Sequence, residues 1–198
     1  MFLSRIAITH QRKPNPYQWH QKLWTLFDAP NDSRAFLFHL EQTSTKQSQL
    51  LLLSSQEAIC QVPQIRVLQQ KEVDYHLKSG QKLAFRLRAN PIKTIKDERK
   101  RTNQKNEIKS CRVPLVREDE QIAWLTRKLG PAAKLQECFI QEKENLYFRK
   151  KNRAGKIAQV TFEGTLEIID PDEFTQLILR GIGPAKAFGC GLLLIRRI

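Results

Sequence analysis

The chain has 198 residues, 40% of them hydrophobic, which is enough apolar material for one large domain or two small ones. Lysine and arginine outnumber the acids by 34 to 20, and the formal net charge is +14. Such an excess points to a polyanionic partner: nucleic acid, an anionic membrane surface or an acidic protein. No apolar stretch approaches the ~20 residues of a membrane-spanning helix, and the N-terminus does not resemble a signal peptide. A cytoplasmic protein is therefore expected.

The first part of the chain predicts the order β-α-β-β. Asn15 and Pro16 are typical of a helix start, and the helix is expected to reach about Phe27. Its buried stripe should contain Trp19, Leu23, Leu26 and Phe27. Strand or extended structure is expected at 2–9, 35–41, 49–53 and 65–77, with an irregular stretch around Pro63 and a turn at 78–81.

The second part predicts β-α-β-β-α-β, which is the ferredoxin-like order. Helices are expected at 118–129, ended by Gly130, and at 171–180, capped by Asp170. The strands are expected at 82–88, 135–141, 158–169 and 191–196. Because the first part looks like a degraded copy of the same plan, we predict an α+β chain of two tandem ferredoxin-like (RRM-like) domains, 1–80 and 81–198.

Four of the eight glycines lie close together near the C-terminus, at Gly181, Gly183, Gly189 and Gly191. Glycine allows positive φ and close approach of a ligand or backbone, and Lys186 within this glycine-rich loop suggests an anion. The loop follows a helix and precedes a strand, and it lacks the G-x-x-x-x-G-K-[ST] spacing, so a nucleotide-binding P-loop or Rossmann site is excluded.

The most basic segment, 86–117, carries eleven Lys or Arg residues against three acids and contains no aromatic residue. Binders of single strands normally interleave aromatic side chains for base stacking. We therefore expect contacts with the phosphates of a duplex or hairpin, unless 90–114 is simply a solvated basic loop. A second basic cluster lies in a predicted hairpin turn. The predicted nucleic-acid contacts of these segments and the glycine-rich loop are Arg86, Arg88, Lys93, Lys96, Arg99, Lys100, Arg101, Lys105, Lys109, Arg112, Arg149, Lys150, Lys151, Lys156 and Lys186.

Tyr17 and His20 are the candidate catalytic pair. Residues at i and i+3 share one face of a helix, here within its first two turns. A histidine moves protons near neutral pH, and a neighbouring tyrosine can hold a hydroxyl or orient the imidazole. The alternative is a pair of packing residues on an aromatic-rich helix beside Trp24. The four cysteines, Cys60, Cys111, Cys138 and Cys190, are widely spread, which predicts reduced thiols rather than a metal site or disulfide framework.

Five stretches together resemble the CasE family, the CRISPR RNA-processing endoribonucleases of the Cascade type within the RAMP superfamily. They are Asn15-Pro16-Tyr17-x-x-His20, residues 85–93 (FRLRANPIK), residues 122–125 (IAWL), Phe162-Glu163-Gly164 with Asp170-Pro171, and the glycine-rich loop followed by Leu192-Leu193. The resemblance extends over the whole chain.

This resemblance implies two ferredoxin-like domains facing a basic cleft that binds the hairpin of a CRISPR repeat transcript. It implies one metal-independent and cofactor-independent cut at the 3′ base of the stem, by attack of the 2′-OH, leaving a 2′,3′-cyclic phosphate and a 5′-OH. His20 would transfer the proton and Tyr17 would assist at the same phosphate. The product would stay bound and the protein would join the other Cascade subunits, with no membrane and no small molecule as partner.

Other functions remain open at this point. RAMP relatives include non-catalytic RNA-binding scaffold subunits, which need neither Tyr17 nor His20. A general RNA-recognition-motif protein should carry stacking aromatics in a motif that residues 83–90 do not supply. A membrane-surface binder should carry an amphipathic basic helix, whereas the basic residues here are predicted to lie in loops.

Overall fold

The structure is a computed structural model that describes residues 1–11, 15–27, 36–59, 62–96, 101–102, 108, 110–150 and 153–198, without the side chains of residues 150 and 153. Its strands are β1 (Phe2–Thr9), β2 (Phe36–Thr43), β3 (Gln47–Ser54), β4 (Ile65–Glu72), β5 (Lys82–Ala89), β6 (Ile92–Lys96), β7 (Ser110–Pro114), β8 (Ala133–Lys150), β9 (Arg153–Ile168) and β10 (Leu193–Arg197). Its helices are α1 (Pro16–Trp24), α2 (Glu118–Leu129) and α3 (Pro171–Arg180), with a 3₁₀ turn at Lys186–Phe188.

The N-terminal sheet has the antiparallel order β2-β3-β1-β4, which is the ferredoxin-like strand order. Successive side chains along each strand of this sheet point to opposite faces. One face carries Ile6, Phe38 and Leu52, which are fully buried together with Leu23 of α1. The described residues between β3 and β4 are not helical, so this half of the chain lacks the second helix of the full plan there.

Local sequence explains why α1 begins at Pro16. Asn15 has an extended backbone and its side chain accepts hydrogen bonds from the first turn, while the side chain of Gln18 bonds back to the Asn15 N–H. This is a reciprocal capping box, which satisfies backbone N–H groups that have no helical partner. The helix ends at Trp24 rather than at the predicted Phe27, although Phe27 is buried as expected.

The C-terminal sheet has the antiparallel order β10-β5-β9-β8, again the ferredoxin-like order when β5, β8, β9 and β10 are taken as its four strands. Helices α2 and α3 cover one face, and the core between them contains Leu87, Leu125, Phe162, Phe174 and Ile178. Asp170 caps α3 through two first-turn N–H groups at 3.0 Å. The predicted fold class is therefore confirmed.

Two predictions about the C-terminal half were wrong in detail. The segment 90–114 contains a two-stranded ladder in which β6 pairs with β7, so its described ends form a hairpin rather than a structureless loop. Strands β8 and β9 are also longer than predicted: Ala133–Lys150 pairs with Arg153–Ile168 as a long ribbon, with two register shifts in β8. Long two-stranded ribbons tolerate such bulges, which bend the bulged strand.

The second face of the N-terminal sheet packs against the C-terminal half. Leu37 and Leu53 belong to the same buried cluster as Leu87 and Phe162, with Leu3 and Leu51 packed against it. His39 lies on this face, opposite to its neighbour Phe38, and is only 5% exposed. The two sheets are thereby joined by a continuous apolar contact.

None of the described helices is both long and apolar enough to cross a bilayer. The three described cysteines, Cys111, Cys138 and Cys190, are free thiols. Burial raises the pKa of the Cys138 and Cys190 thiols to about 11, which keeps them protonated and unreactive at neutral pH. Cys60 lies outside the described residues.

Candidate active site and nucleic-acid interface

Tyr17 and His20 lie on one side of α1 and are both partly exposed. The His20 ring is held between two aromatic rings, with its centroid 6.0 Å from Trp24 in an edge-on arrangement and 5.6 Å from Phe36. Such ring contacts fix the position of an imidazole. The His20 ring is thus packed against two aromatic rings while the residue as a whole stays partly exposed.

Three separate elements meet at the start of α1. The Tyr17 ring lies 6.0 Å from Phe188 of the 3₁₀ turn, and Phe188 in turn lies 4.4 Å from Phe148 of β8. The Asn15 side chain forms hydrogen bonds with both polar groups of the Arg149 backbone. Its amide nitrogen donates to the Arg149 carbonyl, and its oxygen accepts from the Arg149 N–H at 3.3 Å. We call this meeting point of α1, the glycine-rich loop and the β8–β9 ribbon the α1 junction.

The glycine-rich loop reaches the junction by a path that only glycine permits. Gly183 has φ +80, and a Cβ there would lie 2.8 Å from the Trp124 ring. Gly191 has φ +94 and would place a Cβ 2.9 Å from the Ile182 carbonyl oxygen. Positive φ and such close contacts exclude other residues. The close approach predicted for Gly181, Gly183, Gly189 and Gly191 is therefore made by protein atoms, and it presents Phe188 to α1.

Lys186 lies in the same 3₁₀ turn and is partly exposed. Its ammonium group donates to the carbonyl of Arg180 at the end of α3, where the helix dipole favours a cation. The Gln159 side chain also supports the turn, because it donates to the Phe188 carbonyl at 3.2 Å. The loop is thus held from both flanks.

Arg86 and Arg88 project from the same face of β5, as predicted, and both already have carboxylate partners. Arg86 lies 3.3 Å from Glu163 on the adjacent strand. Arg88 lies 3.7 Å from Glu142, donates to the Leu40 carbonyl at 3.4 Å, and has a side chain only 14% exposed. Arg88 therefore braces the contact between the two sheets, and Arg86 is the more accessible of the two.

The hairpin of β6 and β7 presents its basic side chains to solvent. Lys93, Lys96 and Arg112 are all exposed, and Arg101 is exposed beyond the end of β6. Lys93 forms a surface ion pair with Glu120 of α2 at 3.4 Å, which is a weak interaction that a phosphate could replace. The hairpin therefore holds part of the predicted basic segment on a defined ladder.

The second basic cluster lies on the β8–β9 ribbon. Arg149 and Lys156 are exposed, and the Lys156 ammonium lies 5.9 Å from the centre of the Tyr147 ring, its partner in the ladder. Because Asn15 bonds Arg149, this ribbon brings its cations to the α1 junction. The predicted contacts that fall outside the described residues are Arg99, Lys100, Lys105, Lys109 and Lys151, together with the side chain of Lys150.

Chemically, the junction combines an imidazole, a phenol and nearby cations. Within the part of the chain that the structure describes, no three His, Cys, Asp or Glu side chains converge in a way that could hold a metal ion. An imidazole can give or accept a proton near neutral pH, and arginine or lysine can stabilise a charged phosphate. The arrangement suits acid–base chemistry on a bound phosphodiester.

A model of a family described as CRISPR associated protein matches residues 1–197. The Cascade subunit CasE of Escherichia coli K12 is 45% identical over 194 residues, which cover 98% of each chain. The chain belongs to the CasE family of CRISPR-associated proteins. Its fold is similar to that of E. coli Cas6e, with a TM-score of 0.86 and full coverage of both chains. The CRISPR endoribonuclease Cse3, solved with a 19-nucleotide RNA, is similar with a TM-score of 0.79 at 29% identity, covering 99% of this chain and all of that one.

For this family member, sequence reasoning missed the residues that build the junction. Asn15 was expected only as a helix cap, and nothing in its neighbourhood indicates a bond to a residue 134 positions away. Phe188 offers a weak signal, because it is an aromatic residue in a loop otherwise rich in glycine and alanine. The structure also places His39 within the electrostatic influence of Arg88 and Arg86.

Proposed function

We propose that this CasE-family chain is a metal-independent endoribonuclease that binds the hairpin of CRISPR repeat transcripts and cuts once at the 3′ base of the stem. The whole-length identity of 45% to the Cascade subunit CasE and the likeness to the RNA-bound endoribonuclease Cse3 support this. The observation that carries the proposal is the α1 junction, where the helix that carries Tyr17 and His20 is bonded through Asn15 to Arg149 of the β8–β9 ribbon.

In the proposed reaction, the ribose 2′-oxygen forms a bond to the adjacent phosphorus while the bond from phosphorus to the 5′-oxygen breaks. The proton of the 2′-OH passes to a base, and the departing 5′-oxygen receives a proton. The products are a 2′,3′-cyclic phosphate and a 5′-OH. His20 supplies proton transfer, which contributes typically ~10²–10⁴-fold, and Tyr17 orients or binds the same phosphate.

RNA binding is proposed to depend on the exposed cations around the junction. Lys93, Lys96 and Arg112 on the β6–β7 hairpin are suited to phosphates near the end or loop of the stem, since the major groove of A-form RNA is deep and narrow. Arg149 and Lys156 are suited to the backbone beside the cut. Arg86 would contribute by leaving Glu163, whereas Arg88 is better assigned to holding the two sheets together.

We further propose that the protein keeps its cleaved RNA and assembles with other Cascade subunits in the cytoplasm, without a membrane or small-molecule partner. Residues 1–80 and 81–198 are proposed as its two domains, because the two sheets share no strand. The second candidate function is a non-catalytic RNA-binding scaffold subunit, favoured by the aromatic packing of His20.

The deciding experiment is cleavage of a repeat-derived hairpin RNA in EDTA by the wild type, by His20→Ala and by His76→Ala. His76 is a matched control, since its side chain is 82% exposed. We expect the wild type and His76→Ala to cut, and His20→Ala to lose cutting while keeping its affinity, because the binding cations lie elsewhere.

A substrate with a 2′-deoxy sugar at the cut should resist all three proteins, and the wild-type product should carry a cyclic phosphate. Cutting by His20→Ala at the same phosphate would remove His20 from the mechanism. Tight hairpin binding without any cutting by the wild type would instead favour the scaffold function.

A further inference from the structure

A large cleft lined by residues with polar side chains lies beside α1, next to the flank that carries the candidate catalytic residues. The helix buries Trp19 and Leu23 and presents Tyr17 and His20 on one flank. A second flank, formed by Gln18, Lys22 and Thr25 with Gln21 between the two flanks, lines a cleft of about 1380 Å³. We call this the outer α1 cleft.

The lining of this cleft is rich in amides and carries positive charge. Its amide side chains are Gln11, Asn15, Gln18, Gln21 and Gln64. Lys22 and Lys46 add two ammonium groups, and no acidic residue is found among the described residues that line it. In a chain with 20 acids, a cleft of this size without a carboxylate is electrostatically suited to a polyanion.

Four of the polar side chains that line the cleft are not used by the fold. Among the described residues, the side chains of Gln21, Gln64, Lys22 and Lys46 make no hydrogen bond and no ion pair. By contrast, Gln18 is committed to the capping box, and the Asn15 amide is committed to the Arg149 backbone and the start of α1. An amide offers two donors and an acceptor, and an ammonium three donors, so a ligand would find these groups available.

The walls of the cleft are preformed by backbone hydrogen bonds. The Thr9 N–H donates to the Gln64 carbonyl at 2.8 Å, and the His10 N–H donates to the Lys46 carbonyl at 2.9 Å. The His10 ring is also within 3.0 Å of the Ser48 hydroxyl. These bonds tie the end of β1 to both neighbouring turns, so the backbone positions of Gln64 and Lys46 at the cleft are fixed before a ligand binds.

The chemistry of the lining identifies the ligand class. Glutamine and asparagine amides can bond the edges of bases, whose Watson–Crick edges are free only in unpaired nucleotides. Lysines suit the phosphates between those bases. The described lining contains no Phe, Tyr or Trp, and its one aromatic ring, the imidazole of His10, is within 3.0 Å of the Ser48 hydroxyl. Recognition would therefore rest mainly on hydrogen bonds and charge, with His10 as the one ring on which a base could stack.

We infer that the outer α1 cleft binds unpaired nucleotides that continue from the base of the stem. This inference rests on the proposed function, because the stem must lie at the α1 junction. Asn15 borders both places: it lines the cleft and bonds Arg149 at the junction. The two flanks of α1 lie within one helix diameter of each other, ~10–12 Å, so a strand leaving the cut can reach the cleft directly. The cleft would hold the scissile nucleotide in place by gripping its neighbours.

The test measures binding of three uncleavable hairpin RNAs with a 2′-deoxy sugar at the cut: the bare hairpin, and hairpins extended on the 5′ or on the 3′ side by about six unpaired nucleotides, within the range of known single-strand sites. The proteins are the wild type, the double variant Lys22→Gln/Lys46→Gln, and the control Lys71→Gln/Lys128→Gln. The control removes the same charge from exposed positions that do not line the cleft.

For the wild type and the control, we expect one extension to tighten binding about tenfold over the bare hairpin. In Lys22→Gln/Lys46→Gln this gain should fall to about twofold or less, and the slope of log K against log salt for the extended RNA should decrease by about 1.4, or about 0.7 per lost contact. The double variant Gln21→Ala/Gln64→Ala should reduce the gain and leave the salt slope unchanged, since amides carry no charge. The extension that shows the gain identifies which strand enters the cleft.

Equal affinity of the wild type for all three RNAs would overturn the inference, and so would a gain that persists in Lys22→Gln/Lys46→Gln. Both results leave the proposed function standing, because the bare hairpin is still bound. Failure of the wild type to bind even the bare hairpin would refute the proposed function, and the inference with it.

Discussion

The buried imidazole of His39 should make the stability of this protein depend on pH. His39 is 5% exposed. Loss of hydration on burial, with smaller effects from the neighbouring charges of Arg88 and Arg86, lowers its pKa from 6.5 to about 4. Above pH 6.5 the ring is neutral in both states and contributes no difference. As the pH falls below 6.5, the unfolded chain gains a proton that the folded protein does not accept until about pH 4.

The size of the effect follows from this pKa difference. The free energy of unfolding should fall by about 2 kcal/mol between pH 7.5 and pH 5 and by about 3 kcal/mol by pH 4, as a result of this residue alone. The assay is urea unfolding followed by tryptophan fluorescence at a series of pH values. The variant His39→Gln keeps a polar side chain without a titrating ring, so between pH 7.5 and pH 5 it should lose about 2 kcal/mol less than the wild type.

The comparison of variants is essential, because other groups in the chain also titrate over this range. His76→Gln removes an exposed imidazole and should retain the wild-type dependence on pH. If His39→Gln and the wild type lose the same free energy of unfolding between pH 7.5 and pH 5, then the surroundings of His39 do not hold its ring neutral. In that case the two sheets do not pack closely enough to bury it.

The remaining predictions concern the junction and the glycine-rich loop. Phe188→Ala removes the ring contacts that position Tyr17, and cleavage should slow by about 10- to 100-fold with little change in hairpin affinity. The control Phe139→Ala truncates a ring that is 55% exposed and should leave the cleavage rate unchanged. Equal cleavage rates for the two variants would contradict the role of the junction. Gly183→Ala adds a Cβ 2.8 Å from the Trp124 ring at φ +80, and thermal unfolding should show a loss of about 2–4 kcal/mol. Gly80→Ala has a similar φ of +77 and open space around the new Cβ, so it should lose only about 1–2 kcal/mol; an equal loss in the two variants would show that Trp124 does not restrict the loop.

Predictions from sequence failed where a buried apolar residue lies outside the predicted helix or where a strand is mostly exposed. The apolar residues Leu26 and Phe27 extended the predicted helix, and both are buried, but they lie beyond its end, where the Leu26 carbonyl accepts a hydrogen bond from Ile59. The apolar pattern indicates which side chains are buried, but it does not indicate the backbone conformation that buries them. The β6–β7 hairpin shows the reverse case, because four of its five β6 residues are exposed and such a strand lacks the alternation that identifies strands with one buried face.

Apart from the β6–β7 hairpin, the sequence by itself determined the order of elements, together with the starts of α1 and α3 and the two faces of β5, because caps and alternating side chains act over a few residues. The same short range located Tyr17 and His20 on one face of one helix. Only the tertiary structure decided that α1 meets Phe188 and Arg149, that Arg88 is occupied by Glu142, and that the outer α1 cleft exists. These contacts join residues far apart in the chain, and they depend on how the two sheets pack together, which leaves no periodic signal in the sequence.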